Sequence, residues 1–163
     1  MAIRNLRYEG DEILSKKARE VEVIDDKIKQ LVEDMFETMY KWDGLGLAAP
    51  QVGVLKRVVV IDLYEENTKF VLINPVIIKQ SGEQECEEGC LSFPNKFAKV
   101  KRPKEVEVEA LNINGKKYRI KAQDLLAQCI AHEIDHLNGI VFTSVMEPGT
   151  LEIVKPNNTN ENK

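Results

Sequence analysis

Apolar residues recur every three or four positions in two stretches of this chain, and they alternate or cluster in four others. Ile28, Leu31, Val32, Met35, Phe36 and Met39 share one face of a helix. Asp25 or Asp26 can cap its start, and the pattern fades near Trp42. A second helical pattern begins near Asp124 and closes at Asn138-Gly139. Leu125, Cys129, His132 and His136 form one of its stripes; Leu126, Ile130, Glu133 and Leu137 form the neighbouring one. Between the two helices, Arg57 to Leu63 and Phe70 to Ile78 are β-rich runs of strand length. Glu105 to Leu111 and Lys117 to Ala122 flank Asn112-Ile113-Asn114-Gly115, a hairpin signal. Elements in this order predict an α+β fold, with antiparallel sheets packed around a central helix and an N-terminal helix beside them.

The pattern predicts a single domain over residues 1–146, without internal repeat or linker. From 147 to 163 a short polar tail is expected, frayed from Pro156 to Lys163. A net charge of −4 over 163 residues gives no electrostatic match to nucleic acid, so direct nucleic-acid binding is not expected. No apolar run approaches the length of a membrane span, and the N-terminus lacks a signal-peptide core. Three cysteines, Cys86, Cys90 and Cys129, do not make a disulfide scaffold; a reducing compartment, the cytoplasm, follows.

The chemistry is carried by the central helix. Residues 132–136 read His-Glu-Ile-Asp-His. Two imidazoles one helical turn apart can reach one ion, and Glu133 lies where it can take a proton from a water activated by that ion. These are the only two histidines, and they fall on the apolar face, which speaks against two solvated surface groups. Burial and a nearby cation pull the Glu133 pKa in opposite directions, so a perturbed group of open sign is expected. A catalytic site of this kind needs a third protein ligand. Downstream, Phe142 stands where one protease pattern has His, Glu152 is too near, and Glu161 lies in the polar tail. Upstream, Cys90 in Glu88-Gly89-Cys90-Leu91-Ser92 is the better candidate, the other reading being a small buried apolar residue. Gly44-x-Gly46 is not a dinucleotide loop, because a helix precedes it and position 49 is Ala. It reads instead as backbone open to an extended peptide, Gly44 also serving as a helix C-cap.

Three motifs in order, Gly44-Leu45-Gly46-Leu47-Ala48-Ala49-Pro50-Gln51, Glu88 to Ser92 and His132 to His136, give a chain that resembles the bacterial peptide deformylases. The resemblance extends from roughly residue 3 to residue 146. It implies a hydrolase that removes the formyl group from N-formyl-methionyl nascent peptides and releases formate. It implies that Cys90, His132 and His136 hold one divalent metal, that Glu133 is the acid/base, and that Gln51 and the Leu91 backbone N–H face the reacting carbonyl. Leu45, Glu88, Leu125, Cys129 and the His132 ring would line the methionine pocket, with Gly46 and Gly89 offering backbone to the peptide. Fe²⁺ is the ion the resemblance implies; the ligand set also admits Zn²⁺, Co²⁺ or Ni²⁺.

The chain departs from that pattern in places. Ala131 stands where such chains often have Gln, and Phe97 where they often have Arg. Arg102 is retained, and reads either as a surface residue or as a partner of a carboxylate such as Glu88. The C-terminus is neutral to acidic, so ribosome docking through a basic C-terminal helix is not expected. Two rival readings keep the helix but change its use. One is a broad metalloprotease. The other is a non-catalytic module whose closed site takes Cys86 or Cys129 as a fourth ligand.

Overall fold

A computed structural model describes residues 2–155. The first expected helix, α1, spans Asp26–Lys41, its N-terminus capped by the Asp25 side chain on the Ile28 N–H. Strands β1 (Gly46–Ala48), β2 (Val58–Asp62) and β3 (Lys69–Ser81) follow. Next come β4 (Gln84–Cys90), β5 (Phe93–Arg102), β6 (Glu105–Leu111) and β7 (Lys117–Gln123). Helix α2 (Asp124–Leu137), a single turn α3 (Phe142–Val145) and β8 (Glu152–Ile153) complete the described chain. The hairpin between β6 and β7 is the one the Asn-Gly signal predicts. Asn112 Oδ1 accepts the N–H groups of Asn114 and Lys116, and Gly115 takes φ 79°.

Pairing is antiparallel throughout both sheets, one of five strands in the order β1-β2-β3-β6-β7 and one of three in the order β4-β5-β8. Strand β2 shows why its sequence is an unbroken apolar run. Val58 and Val60 point to the side covered by α1, packing with Leu31, Met35 and Met39. Val59 and Ile61 point the other way, into a core shared with Ala127, Ile130 and Leu137 of α2. A strand covered on both faces needs no polar alternation. The second sheet closes over a smaller cluster that includes Phe93, Val100 and Phe142. Helix α2 therefore lies between the two sheets, the arrangement expected from the sequence.

Two features differ from the sequence reading. Strands β4 and β5 were not predicted, because their inward positions include Cys86, Glu88 and Arg102 rather than an apolar series. Residues 147–153, expected to begin the polar tail, pair with β5: Phe97 registers with Glu152, and the Glu147 N–H donates to the Lys99 carbonyl at 2.7 Å. The expectation for Pro156 to Lys163 lies outside the described residues.

The C-terminus of α2 is tied to the large sheet by Arg57. Its Nη1 donates to the carbonyls of Leu137 (3.0 Å) and Ala18 (3.3 Å), and its Nη2 donates to Asn138 Oδ1 (3.0 Å). A cation at a helix C-terminus also opposes the helix dipole. Arg57→Ala is expected to lower unfolding free energy by about 1–3 kcal/mol, read by urea titration. A wild-type midpoint would show that solvent replaces these bonds without cost.

Candidate active site

Helix α2 brings His132 and His136 to one face, with ring centroids 4.9 Å apart. The end of β4 brings Cys90 against them, its Sγ 3.3 Å from His136 Nε2. Donor atoms of Cys90, His132 and His136 all lie within 4.8 Å of one another, and they are the metal-type cluster found among the described residues. Cys86 and Cys129 are outside it. Burial pushes the Cys129 thiol up to about 12 and so keeps it neutral. Burial also pulls the His136 imidazole down, favouring the neutral form that binds a cation. His132 moves the other way: burial lowers it, but hydrogen bonds with Cys90 and Glu88 prevail and raise it.

Glu133 sits beside this cluster with 3% of its surface exposed. Its Oε1 is 3.6 Å from His132 Nε2, while Oε2 has no hydrogen-bond partner. Burial pushes this carboxyl up to about 7, the neighbouring His132 charge countering only in part. That is the burial side of the balance expected from the sequence; a cation held beside this carboxyl would act the other way. A buried carboxylate oxygen without a partner, next to three converging soft and nitrogen donors, fits a site built for a cation and a water.

Behind His132 stands a charged network that runs from one sheet to the helix. Glu88 Oε1 is 2.7 Å from His132 Nδ1, leaving Nε2 to face the cluster. Arg102 grips both Glu88 oxygens, Nε to Oε2 at 2.6 Å and Nη2 to Oε1 at 2.8 Å, and its Nη1 donates to Asp135 Oδ2 at 2.6 Å. Arg102 is 6% exposed, so the surface reading of this residue is wrong and the carboxylate-partner reading is right. Burial alone would raise the Glu88 carboxyl; the hydrogen bonds from Arg102 and His132 outweigh it and hold Glu88 down at about 2.

Gln51 is 1% exposed, which excludes a surface role. Its Oε1 accepts the Ala48 N–H at 2.9 Å, and this turns Nε2 toward Cys90 Sγ (3.3 Å) and Ser92 Oγ (3.1 Å). The cluster opens into a cavity of about 590 Å³. Leu45, Gly46, Gln51, Glu88, Gly89, Leu91, Leu125 and Cys129 all line it, together with Cys90, His132 and Glu133. Of the metal, catalytic and substrate-binding residues expected from the sequence, only His136 lies behind the wall. Gly46 passes so close to the helix that a Cβ there would stand 3.0 Å from Glu133 Cγ. Phe97 lies in the wall with its ring over Gly89, where a Cβ would meet Cε1 at 2.7 Å. The sequence reading missed Leu6, Tyr8 and Trp42 in the lining, and it missed Asp135. Asp135 had a signal, since it follows His132 by three residues on the same helix; the N-terminal pair had none.

The family comparison agrees with this geometry. The polypeptide deformylase family matches residues 3–151. The peptide deformylase of Finegoldia magna is 53% identical over 160 residues, covering 97% of this chain and 99% of that protein. The chain belongs to the polypeptide deformylase family. It is a metal-dependent hydrolase that removes the N-formyl group from nascent polypeptides. Among solved structures, a peptide deformylase from Legionella pneumophila superposes with TM-score 0.87 at 46% identity, covering 90% of this chain and 88% of that one. A deformylase from Synechococcus elongatus in complex with actinonin gives 0.84 at 47% identity, covering 88% and 79%.

The Glu88 network yields a test of the deformylase site. The folded Glu88 pKa, about 2, lies below the usual value of 4.5, so its contribution to stability is complete above 4.5 and is lost as pH falls through 2. Glu88→Gln should remove that acid-dependent component in urea titrations of the metal-free protein. It should cost about 3–5 kcal/mol at pH 7, as expected for a broken buried pair. Metal retention against a chelator should fall about 10–100-fold. Unchanged retention would separate the network from the metal site.

Proposed function

We propose that Cys90, His132 and His136 hold one divalent ion in this deformylase, with Glu133 as the acid/base. The observation that carries this reading is the unpartnered Glu133 Oε2 beside three converging donors, with Glu133, Cys90 and His132 lining one cavity and His136 just behind them. When bound, the ion supplies Lewis-acid charge that activates water and polarises the formyl carbonyl. Glu133 takes a proton from the attacking water and returns one to the amide nitrogen as the C–N bond breaks. The products are formate and a free N-terminal amine.

Gln51 and the Leu91 backbone N–H donate to the oxygen that becomes negative during attack. The Ala48 N–H holds the Gln51 amide from behind, so its donor is preorganised for this task. One such donor is worth about 2.7–4 kcal/mol in comparable sites. Leu45, Glu88, Leu125, Cys129 and the His132 ring form the surround of the methionine side chain. Gly46 and Gly89 supply backbone to the rest of the peptide. Support for Gly46 comes from register. The Asp62 N–H bonds the Leu45 carbonyl, so the next residue, Gly46, turns its N–H and C=O away from β2 and toward the cavity.

The thiolate makes the bound ion a weaker Lewis acid than a third imidazole would, and Fe²⁺ is our expected ion, with Zn²⁺, Co²⁺ and Ni²⁺ as alternatives. The substrate is an N-formyl-methionyl nascent peptide, met in the cytoplasm, and residues 1–146 form the catalytic domain. Protein purified anaerobically and loaded with Fe²⁺ is expected to release formate from a formyl-Met peptide. Glu133→Ala should abolish release while keeping its metal; loss of metal in that variant would mean that a ligand has been misassigned.

A further inference from the structure

Between α1 and β1 the chain runs through residues 42–45, a strap whose members Trp42, Asp43, Gly44 and Leu45 form one wall of the cavity. The fit is close. A Cβ on Gly44 would stand 2.7 Å from Leu91 Cδ1, and the next glycine lies against Glu133. A displacement of a few tenths of an ångström in the strap is therefore felt by both residues.

The strap is held from outside, by the end of β2. The Asp62 N–H donates to the Leu45 carbonyl at 2.9 Å, and the Tyr64 hydroxyl donates to the Gly44 carbonyl at 2.8 Å. Tyr64 is not part of the cavity lining. Its backbone is left-handed, with φ 59°, an outlier for an aromatic residue. Asp62 maintains that conformation. One carboxylate oxygen accepts the Tyr64 N–H (2.7 Å) and the other accepts the Tyr40 hydroxyl (2.6 Å). The Tyr64 ring leans on Tyr40, centroids 5.8 Å apart. Such a conformation is costly and persists where surrounding structure enforces it, often beside a functional site. The side chain stays half exposed, so burial does not account for a tyrosine at this position.

We propose that Tyr64 is a positioning residue for deformylation: its hydroxyl pins Gly44 and thereby sets the width of the cleft between the strap and the opposite wall. It acts on the grip around the methionine side chain, through Leu45, and around the peptide that follows it, through Gly46, and not on proton transfer. This rests on the reading of Gly46 as a main-chain partner of the substrate.

Trp42 is the only tryptophan in the chain and stands on the strap, so its fluorescence reports strap and peptide together. Metal-loaded wild type, Tyr64→Phe and Tyr64→Asn are compared for formate release, for Trp42 anisotropy during titration with a formyl-Met tripeptide, and for Tm. Tyr64→Phe keeps the ring without the hydroxyl. Tyr64→Asn removes both but accepts the left-handed backbone. Both variants should raise KM about fivefold, the equilibrium weight of one neutral hydrogen bond, with kcat changed less than about twofold. Both should lower the anisotropy of Trp42 before peptide is added. A wild-type KM in either variant overturns the proposal, as does a KM rise confined to the variant that loses thermal stability, or a fall in kcat at constant KM. If wild type releases no formate, or Trp42 does not respond to peptide, the reading of the cavity fails and the proposal falls with it.

Discussion

The Arg102 guanidinium is the joint on which the active site depends. It lies at the end of β5, grips Glu88 on β4 with two hydrogen bonds and Asp135 on α2 with a third, and through Glu88 reaches the His132 ring. The second sheet carries Cys90, and the helix carries both histidines. Without a fixed relation between those two elements the three donors would not converge. A buried ion pair of this kind is a weak source of net stability, because desolvation offsets much of its Coulomb energy. Its strength is directional. Bidentate geometry sets the angle of Glu88, Glu88 sets which nitrogen of His132 faces the cluster, and the imidazole arrives pre-oriented.

The same topology opens the cavity. Strand β1 is at one edge of the five-stranded sheet and β4 at one edge of the three-stranded sheet, and residues of both line the cavity wall. Two unpaired strand edges facing one cleft would invite aggregation elsewhere; here they offer main-chain hydrogen bonds to an extended peptide. Helix α2 forms the floor, with the reactive groups in its C-terminal half and the larger apolar core holding it from behind through Ala127, Ile130, Ile134 and Leu137.

Much of this was legible in the sequence. Period in the apolar pattern located α1, α2, β2, β3 and the β6–β7 hairpin, because those elements bury apolar faces. The three motifs named residues that the fold does bring to one cavity. What stayed hidden was the second sheet. Its inward face is partly charged, and the sequence does not choose between a solvated Arg102 and one that neutralises a carboxylate such as Glu88. The N-terminal lining was hidden for a different reason: Leu6 and Tyr8 reach the cavity through long-range contacts that leave no local periodicity. Trp42 and Tyr64 belong to the same class, their significance depending on where a loop passes rather than on what surrounds them in sequence.

The central claim, that one thiolate and two imidazoles hold the metal in an open site, is tested most directly by X-ray absorption at the metal edge of the anaerobically loaded protein. One sulfur, two imidazole nitrogens and a light atom from solvent is the predicted set of neighbours. Two sulfurs would contradict it, drawing Cys86 or Cys129 into a closed site.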